Sequence, residues 1–63
     1  MNNYQLAIEE MALSGSIAIP GSASTVYRWA RIINGILEWG KYDWRVKADA
    51  KTGVLTVIDK EEK

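Results

Sequence analysis

The residues best suited to recognition lie between positions 27 and 47 and are mostly basic or aromatic. Arginine and asparagine side chains donate hydrogen bonds to phosphates and base edges. Tryptophan, tyrosine and arginine are also the residue types enriched at the centres of protein interfaces. Both chemistries predict a surface that binds a macromolecule. The candidate residues are Tyr27, Arg28, Arg31, Asn34, Trp39, Tyr42, Arg45 and Lys47.

The composition argues against catalysis. The 63 residues include neither histidine nor cysteine, so imidazole and thiolate chemistry and the usual ligands of zinc and haem are missing. The carboxylates of Glu9, Glu10 and Glu38 remain, but their spacing does not bring them together, and solvated helix faces explain them. We therefore expect a protein that is not an enzyme and that uses no cofactor and no metal.

The absence of cysteine predicts a cytoplasmic protein, while the charge balance favours a protein partner and the hydropathy predicts a soluble, untargeted chain. Eight basic and eight acidic residues cancel, unlike the basic balance of a dedicated DNA-binding domain. No apolar run approaches the roughly 20 residues of a membrane span, and the start of the chain lacks the basic residues of a signal peptide. We expect no membrane association.

The first part of the chain predicts a helix followed by a short strand. Asn2 or Asn3 is the N-cap of the helix, which extends to about Leu13 and is ended by Gly15. Residues 16–19 then alternate with period two, with two isoleucines facing the core, and the next residue is a proline that closes the strand.

A long helix is predicted over residues 24–39, with Ser22 or Ser24 as its N-cap. Its apolar arc covers about half of the circumference, more than a three-stranded sheet needs to cover. A second cover is therefore expected, either the first helix or another subunit, and we expect a symmetric homodimer. The arc consists of Val26, Trp29, Ala30, Ile33 and Leu37, widened by Ile32, Ile36 and Trp39.

Two strands follow, over residues 43–48 and 54–59, joined by a tight turn. Asp49 suits the start of the turn, and Gly53 suits a positive φ at its end. Pairing of Asp49 with Val54 places one set of side chains inward: Trp44, Val46, Ala48, Leu55 and Val57. It places another set outward: Arg45, Lys47, Val54, Thr56 and Ile58.

The expected fold is therefore α+β, in the order α-β-α-β-β, with a three-stranded antiparallel sheet packed on one long helix. Residues 1–58 form a single domain, and residues 59–63 form a charged C-terminal tail.

Binding to DNA is the main alternative. Arg28, Arg31 and Asn34 are expected on the outward half of the long helix, where they reach base edges. However, a winged helix needs a helix-turn-helix before the hairpin, and a ribbon-helix-helix needs a second helix in place of the hairpin. Arg45 and Lys47 on the outer sheet face either contact phosphates or protect an edge strand.

The chain resembles small phage-encoded orphan proteins over about residues 5 to 58. The resemblance rests on a G-S-hydrophobic-P strand at 15–20, an S-A-x-x-V-R helix start at 22–27 and a basic hairpin at 44–57. Tyr27 stands where arginine is commonest in that pattern, with Arg28 one place later. The resemblance implies a phage or prophage origin and a non-enzymatic task, such as blocking a host enzyme, counteracting a defence system or contacting nucleic acid.

The sequence thus leads to three hypotheses. The first is a non-catalytic protein that inhibits or redirects a host protein through the aromatic and basic surface. The second is a small DNA-binding regulator that uses the 24–39 helix and the basic hairpin. The third is sequestration of a small anionic nucleotide at an oligomer interface.

Overall fold

The computed structural model describes residues 3–59 and confirms the predicted order of elements. The three strands form one antiparallel sheet in the order β1-β3-β2, so the predicted α+β fold is confirmed. The elements are α1 (Asn3–Ser14), β1 (Ser16–Ala18), α2 (Ala23–Trp39), β2 (Trp44–Asp49) and β3 (Val54–Asp59).

The ends of the chain limit two of the predictions. Asn2, one of the two caps considered for the first helix, and residues 60–63 of the predicted tail lie outside the described residues. The sequence predicts Asp59 both as the end of the second hairpin strand and as the first residue of the tail; in the structure it is the last residue of β3 and pairs with Trp44. The β-branched run before it continues the ladder by one residue further than the proposed domain boundary.

The hairpin has the predicted register. Asp49 pairs with Val54, and the Asp49 carboxylate accepts a hydrogen bond from the Lys51 N–H at 3.0 Å. Gly53 has a φ of 70° and donates its N–H to the Asp49 carbonyl at 2.8 Å. A residue with a side chain rarely adopts that φ, which explains the glycine at the end of the turn.

One hydrophobic core lies between the two helices and the inner face of the sheet. Both helices pack on this face, because their buried residues belong to the same cluster as those of the strands. The four buried positions of α2 follow a spacing of three and four residues, which confirms the predicted stripe. The core consists of Ala7, Ile8, Met11, Ile19, Val26, Ala30, Ile33, Leu37, Val46 and Leu55.

The first helix supplies the second cover that the wide apolar arc of α2 requires. The ring of Tyr4 in α1 lies 4.6 Å from the ring of Trp29, at an interplanar angle of 60°. Trp29 and Ile36 are half-buried and pack against the core. Trp39, at the end of the arc, remains 87% exposed. Packing within one chain therefore covers most of the arc and leaves its last tryptophan in solvent.

The N-terminus of α2 is held by backbone hydrogen bonds. Ser22 is the N-cap, as one of the two predicted alternatives, and its carbonyl accepts the N–H groups of Thr25 and Val26 at 3.0 and 3.2 Å. Its hydroxyl makes no capping hydrogen bond and lies 2.9 Å from the Ser24 hydroxyl. The serine type at this position is therefore not used in the way that the sequence pattern predicts.

The prediction that Asn34 lies free on the outward half of α2 is wrong. Its side-chain oxygen accepts the Val46 N–H at 2.8 Å, and its side-chain nitrogen donates to the Val46 carbonyl at 3.1 Å. The backbone N–H and C=O of Val46 point away from β3, toward the outer edge of β2. Asn34 thus pairs with this edge as a neighbouring strand would, and it fastens α2 to the sheet.

Replacing Asn34 with alanine should lower the free energy of unfolding by about 1–2 kcal/mol. Two hydrogen bonds to half-buried backbone groups are lost, each of about 1 kcal/mol, and the higher helix propensity of alanine returns about 0.6 kcal/mol. Urea denaturation followed by far-UV circular dichroism measures the difference. Arg31→Ala, an exposed position on the same helix, is the matched control and should change stability by less than about 0.5 kcal/mol. Equal unfolding midpoints for the two variants would contradict the role of Asn34.

Candidate protein-binding surface

The eight candidate residues lie on different elements. Arg28, Arg31 and Trp39 lie on the exposed side of α2, whereas Asn34 is used within the fold. The other four lie in or near β2. Tyr42 and Arg45 are near its start, and Tyr27 and Lys47 border a groove that is also lined by Ile58, the strand partner of Arg45.

The exposed side of α2 presents a coherent set of residues, which we call the α2 outer face: Arg28, Arg31, Gly35 and Trp39. These positions are spaced by three and four residues, so they share one side of the helix. All four are exposed, and the opposite side of the helix is buried in the core. The face extends over 11 residue steps, or about 16 Å along the helix axis.

Trp39 is the aromatic residue of this face and the most exposed aromatic residue among those described, with 87% of its surface in solvent. Its backbone is nevertheless well fixed, because Leu37 two residues earlier is fully buried. The turn that follows is closed by the Tyr42 N–H, which donates to the Leu37 carbonyl at 2.9 Å. Trp39 is therefore a large apolar side chain on a rigid support.

Gly35 lies at the centre of the α2 outer face, and the sequence analysis did not identify it. A Cβ atom built at Gly35 meets nothing within 4 Å, so packing within the chain does not require a glycine here. Glycine in a helix interior is unfavourable by about 1 kcal/mol relative to alanine. Its presence within a helical pattern is the signal that could have identified this position, since it lets another backbone approach closely.

Tyr42 and Arg45 form a second group beside Trp44. The rings of Tyr42 and Trp44 make an edge-to-face contact, with centroids 5.9 Å apart at 87°. One terminal nitrogen of Arg45 donates to the carbonyls of Tyr42 and Trp44, at 2.9 and 2.7 Å. Arg45 is half-buried, so its guanidinium group is partly committed to shaping the start of β2.

Tyr27 and Lys47 border a groove at the end of β2 with a volume of about 560 Å³. The groove also contains Lys51 and Asp49 of the hairpin turn, which leaves one net positive charge among its charged groups. The structure therefore brings Tyr27 and Lys47 together. It provides no contact between this groove and the distant Trp39.

Glu9, Glu10 and Glu38 are all exposed on their helices. Within residues 3–59, no group of three or more acidic, histidine or cysteine side chains is placed to hold a metal ion. Within the same range, neither helix is long and apolar enough to cross a bilayer.

Gly35→Ala should raise the free energy of unfolding by about 1 kcal/mol, because the added methyl group restricts the unfolded chain and meets no obstacle in the helix. Chemical denaturation measures the change. Gly53→Ala is the matched control and should destabilise the protein, since Gly53 has a φ of 70° and its added Cβ would lie 3.3 Å from the Ile19 carbonyl oxygen. A loss of stability in Gly35→Ala would show that Gly35 has a packing role.

Trp39→Phe should shift the tryptophan emission maximum of the protein to shorter wavelength and reduce quenching by acrylamide. The variant removes the solvent-exposed indole and leaves Trp29 and Trp44, which are both half-buried. Steady-state fluorescence measures both quantities. Trp29→Phe is the control and should change them in the opposite direction. Identical spectra for the two variants would mean that Trp39 is shielded in solution.

Comparisons with known proteins identify no relative from which a role could be transferred. No protein-family model matches the chain. Neither a curated protein nor a solved structure matches it either. The assignment of the α2 outer face as a candidate site therefore depends on the geometry and chemistry of this chain.

Proposed function

We propose that the protein is a non-catalytic binding module whose α2 outer face docks onto a host protein, which it inhibits or redirects. The observation that carries the proposal is the 87% exposed Trp39 on the same helix face as Gly35, which no packing contact within the chain explains. Both features are unfavourable for an isolated small domain, and both become favourable when a second surface covers them.

The residue types of this face support a protein partner. Tryptophan and arginine dominate the binding energy at protein interfaces, and the face contains Trp39, Arg28 and Arg31. Gly35 provides a shallow notch between them where a partner backbone or side chain fits. Because α2 is anchored by four buried residues, the face is already in its binding conformation, which reduces the entropy lost on association.

A host protein as the partner follows from the resemblance to small phage-encoded proteins. Such a partner lies in the bacterial cytoplasm, which agrees with a chain that contains no cysteine. The proposed effect on the partner is steric. The four residues of the α2 outer face include no histidine or cysteine, and the one carboxylate beside them is that of exposed Glu38, three residues after Gly35.

Self-association through the same end of α2 is a related proposal. The part of the apolar arc that α1 does not cover includes Trp39, and Ile32 is only half-buried. A symmetric dimer would hide both. Sedimentation velocity tests this directly: a monomer at high micromolar concentration would exclude the dimer, whereas a dimer that dissociates in Trp39→Ala would establish it.

The host-protein proposal is tested by affinity capture from a bacterial lysate with four forms of the tagged protein. The wild type and Leu13→Ala should capture the same partner, while Trp39→Ala and Gly35→Gln should each reduce the captured amount by about tenfold or more, as expected for residues at the centre of an interface. Leu13 is the matched control because it is also an apolar helix residue, 90% exposed, on α1. Equal capture by Trp39→Ala and Leu13→Ala would overturn the proposal.

Nucleic-acid binding makes a different prediction for the same variants. Contacts of Arg28 and Arg31 with phosphates would give an affinity for duplex DNA that falls steeply with salt and that is lost in the double variant Arg28→Ala/Arg31→Ala, whereas Gly35→Gln would change it little. Titration of a labelled duplex at two salt concentrations separates the two classes. The third hypothesis, sequestration of a small anionic nucleotide at an oligomer interface, predicts thermal stabilisation by nucleotides but not by DNA.

A further inference from the structure

The two edges of the sheet differ in which of their outward backbone groups are hydrogen-bonded to side chains. On the β2 edge, Asn34 pairs with the backbone of Val46, and Arg45 donates to the carbonyl of Trp44. These side chains engage the Trp44 carbonyl and both backbone groups of Val46, so the first part of the β2 edge is closed to another strand. The β1 edge is engaged by one side-chain hydrogen bond among the described residues, from Ser14 to the Ser16 carbonyl.

The hydrogen bonds of β1 show which of its backbone groups point outward. The Ile19 N–H donates to the Gly53 carbonyl at 2.7 Å, and the Gly15 carbonyl accepts the Val57 N–H at 2.9 Å. Because the direction alternates along an antiparallel strand, the N–H and C=O of Ser16 and Ala18 point away from β3. No hydrogen bond within residues 3–59 engages these groups of Ala18.

Ser16 is only partly protected. The Ser14 hydroxyl lies within 2.8 Å of the Ser16 carbonyl and within 2.9 Å of the Glu10 carbonyl. A hydroxyl has one hydrogen to donate, so these two carbonyls share it. A carbonyl oxygen also accepts a second hydrogen bond, and the Ser16 carbonyl is therefore still available to an incoming donor.

An open groove of about 440 Å³ runs along this edge. Residues of α1, among them Leu6 and Glu10, form one wall, and residues 16–20 and Trp29 line the rest of the groove. Leu6 is 46% exposed, which gives the wall an apolar surface. The one charged side chain that lines the groove among the described residues is Glu10.

We propose that the β1 edge is a second binding site, which takes an extended peptide segment of a partner protein as a fourth strand along β1, in the open groove that α1 borders. The backbone donors and acceptors at Ser16 and Ala18 match those of an extended chain that adds to a sheet edge. The apolar wall favours valine-like side chains, and the carboxylate of Glu10 favours a lysine or arginine over an acidic residue. This site shares no residue with the α2 outer face, so it goes beyond the function proposed above.

The test is a nuclear magnetic resonance titration of the full chain with two peptides, acetyl-Thr-Val-Lys-Val-Thr-amide and the same peptide with glutamate in place of lysine. The lysine peptide should shift the amide signals of Ser16, Ile17 and Ala18 and slow hydrogen exchange at Ala18, leaving Val46 unchanged. It should bind about two- to fivefold more tightly than the glutamate peptide, as expected for an exposed charge pair.

Two variants of one residue provide the matched comparison. Ala18→Pro removes the outward N–H, which makes no hydrogen bond within the sheet. This variant should lower the affinity for the lysine peptide by about fivefold or more. Ala18→Ser keeps the N–H and should bind as the wild type does. Far-UV circular dichroism checks that both variants fold, and if Ala18→Pro does not, the pattern of shifts and exchange in the wild type decides the question.

Three results would overturn the proposal. The first is the absence of amide shifts at residues 16–18 with millimolar lysine peptide. The second is equal binding to Ala18→Pro and Ala18→Ser when both are folded. The third is a shift of the Ala18 amide with protein concentration alone, which would make a second copy of this chain the occupant of the edge.

Discussion

The pairing of the Asn34 amide with the Val46 backbone determines much of what this structure presents to a partner. Its two hydrogen bonds, at 2.8 and 3.1 Å, connect the middle of α2 to the middle of β2 and so fix the rotation of the helix about its axis. With Asn34 turned to the sheet, Val26, Ile33 and Leu37 are buried. The same rotation sends the α2 outer face into solvent. The amide also occupies the middle of the β2 edge, so one side chain both orients α2 and engages the backbone of the neighbouring strand.

Local pattern was sufficient to predict the elements but not this connection. The spacing of apolar residues in α2 and the alternation in the hairpin each depend on neighbours in sequence, and both are confirmed. Asn34 lies at the border between the buried and exposed sides of the helix, and its partner is 12 residues away. A wheel shows an asparagine beside two arginines and cannot show the unpaired strand edge opposite it. The hydrogen bonds of Arg45 could not be predicted for the same reason. Its guanidinium group donates to the backbone carbonyls of Tyr42 and Trp44, which only the folded chain brings within reach.

The candidate site was predictable in part for the same reason. The sequence indicated that the apolar arc of α2 exceeds what one sheet covers, and it left open whether α1 or another subunit covers the rest. The contact of Tyr4 with Trp29 shows that α1 covers the part of the arc around Trp29. Trp39, at the end of the arc, stays exposed. Gly35 has no side chain that would appear in a pattern of apolar or charged residues, so the sequence pattern does not point to it. It becomes conspicuous when the structure shows an open surface around it.

Because the chain is small, the stability that Gly35 and Trp39 forgo is a large share of its total. A domain of 63 residues has a net stability of about 3–9 kcal/mol, and it buries a smaller share of its surface than a larger domain does. Glycine at position 35 lowers that stability by about 1 kcal/mol relative to alanine. Burial of a large apolar side chain such as that of Trp39 would add about 1.5–3 kcal/mol, which its 87% exposure forgoes. The stability of the isolated fold explains neither the glycine at position 35 nor the exposed tryptophan at position 39. Both lie on one face of α2, and the opposite face of that helix is buried in the core. The same reasoning does not apply to Leu13, which is equally exposed but lies near the end of α1, with no such glycine beside it. The α2 outer face is therefore the part of the molecule where the sequence departs furthest from what folding alone requires.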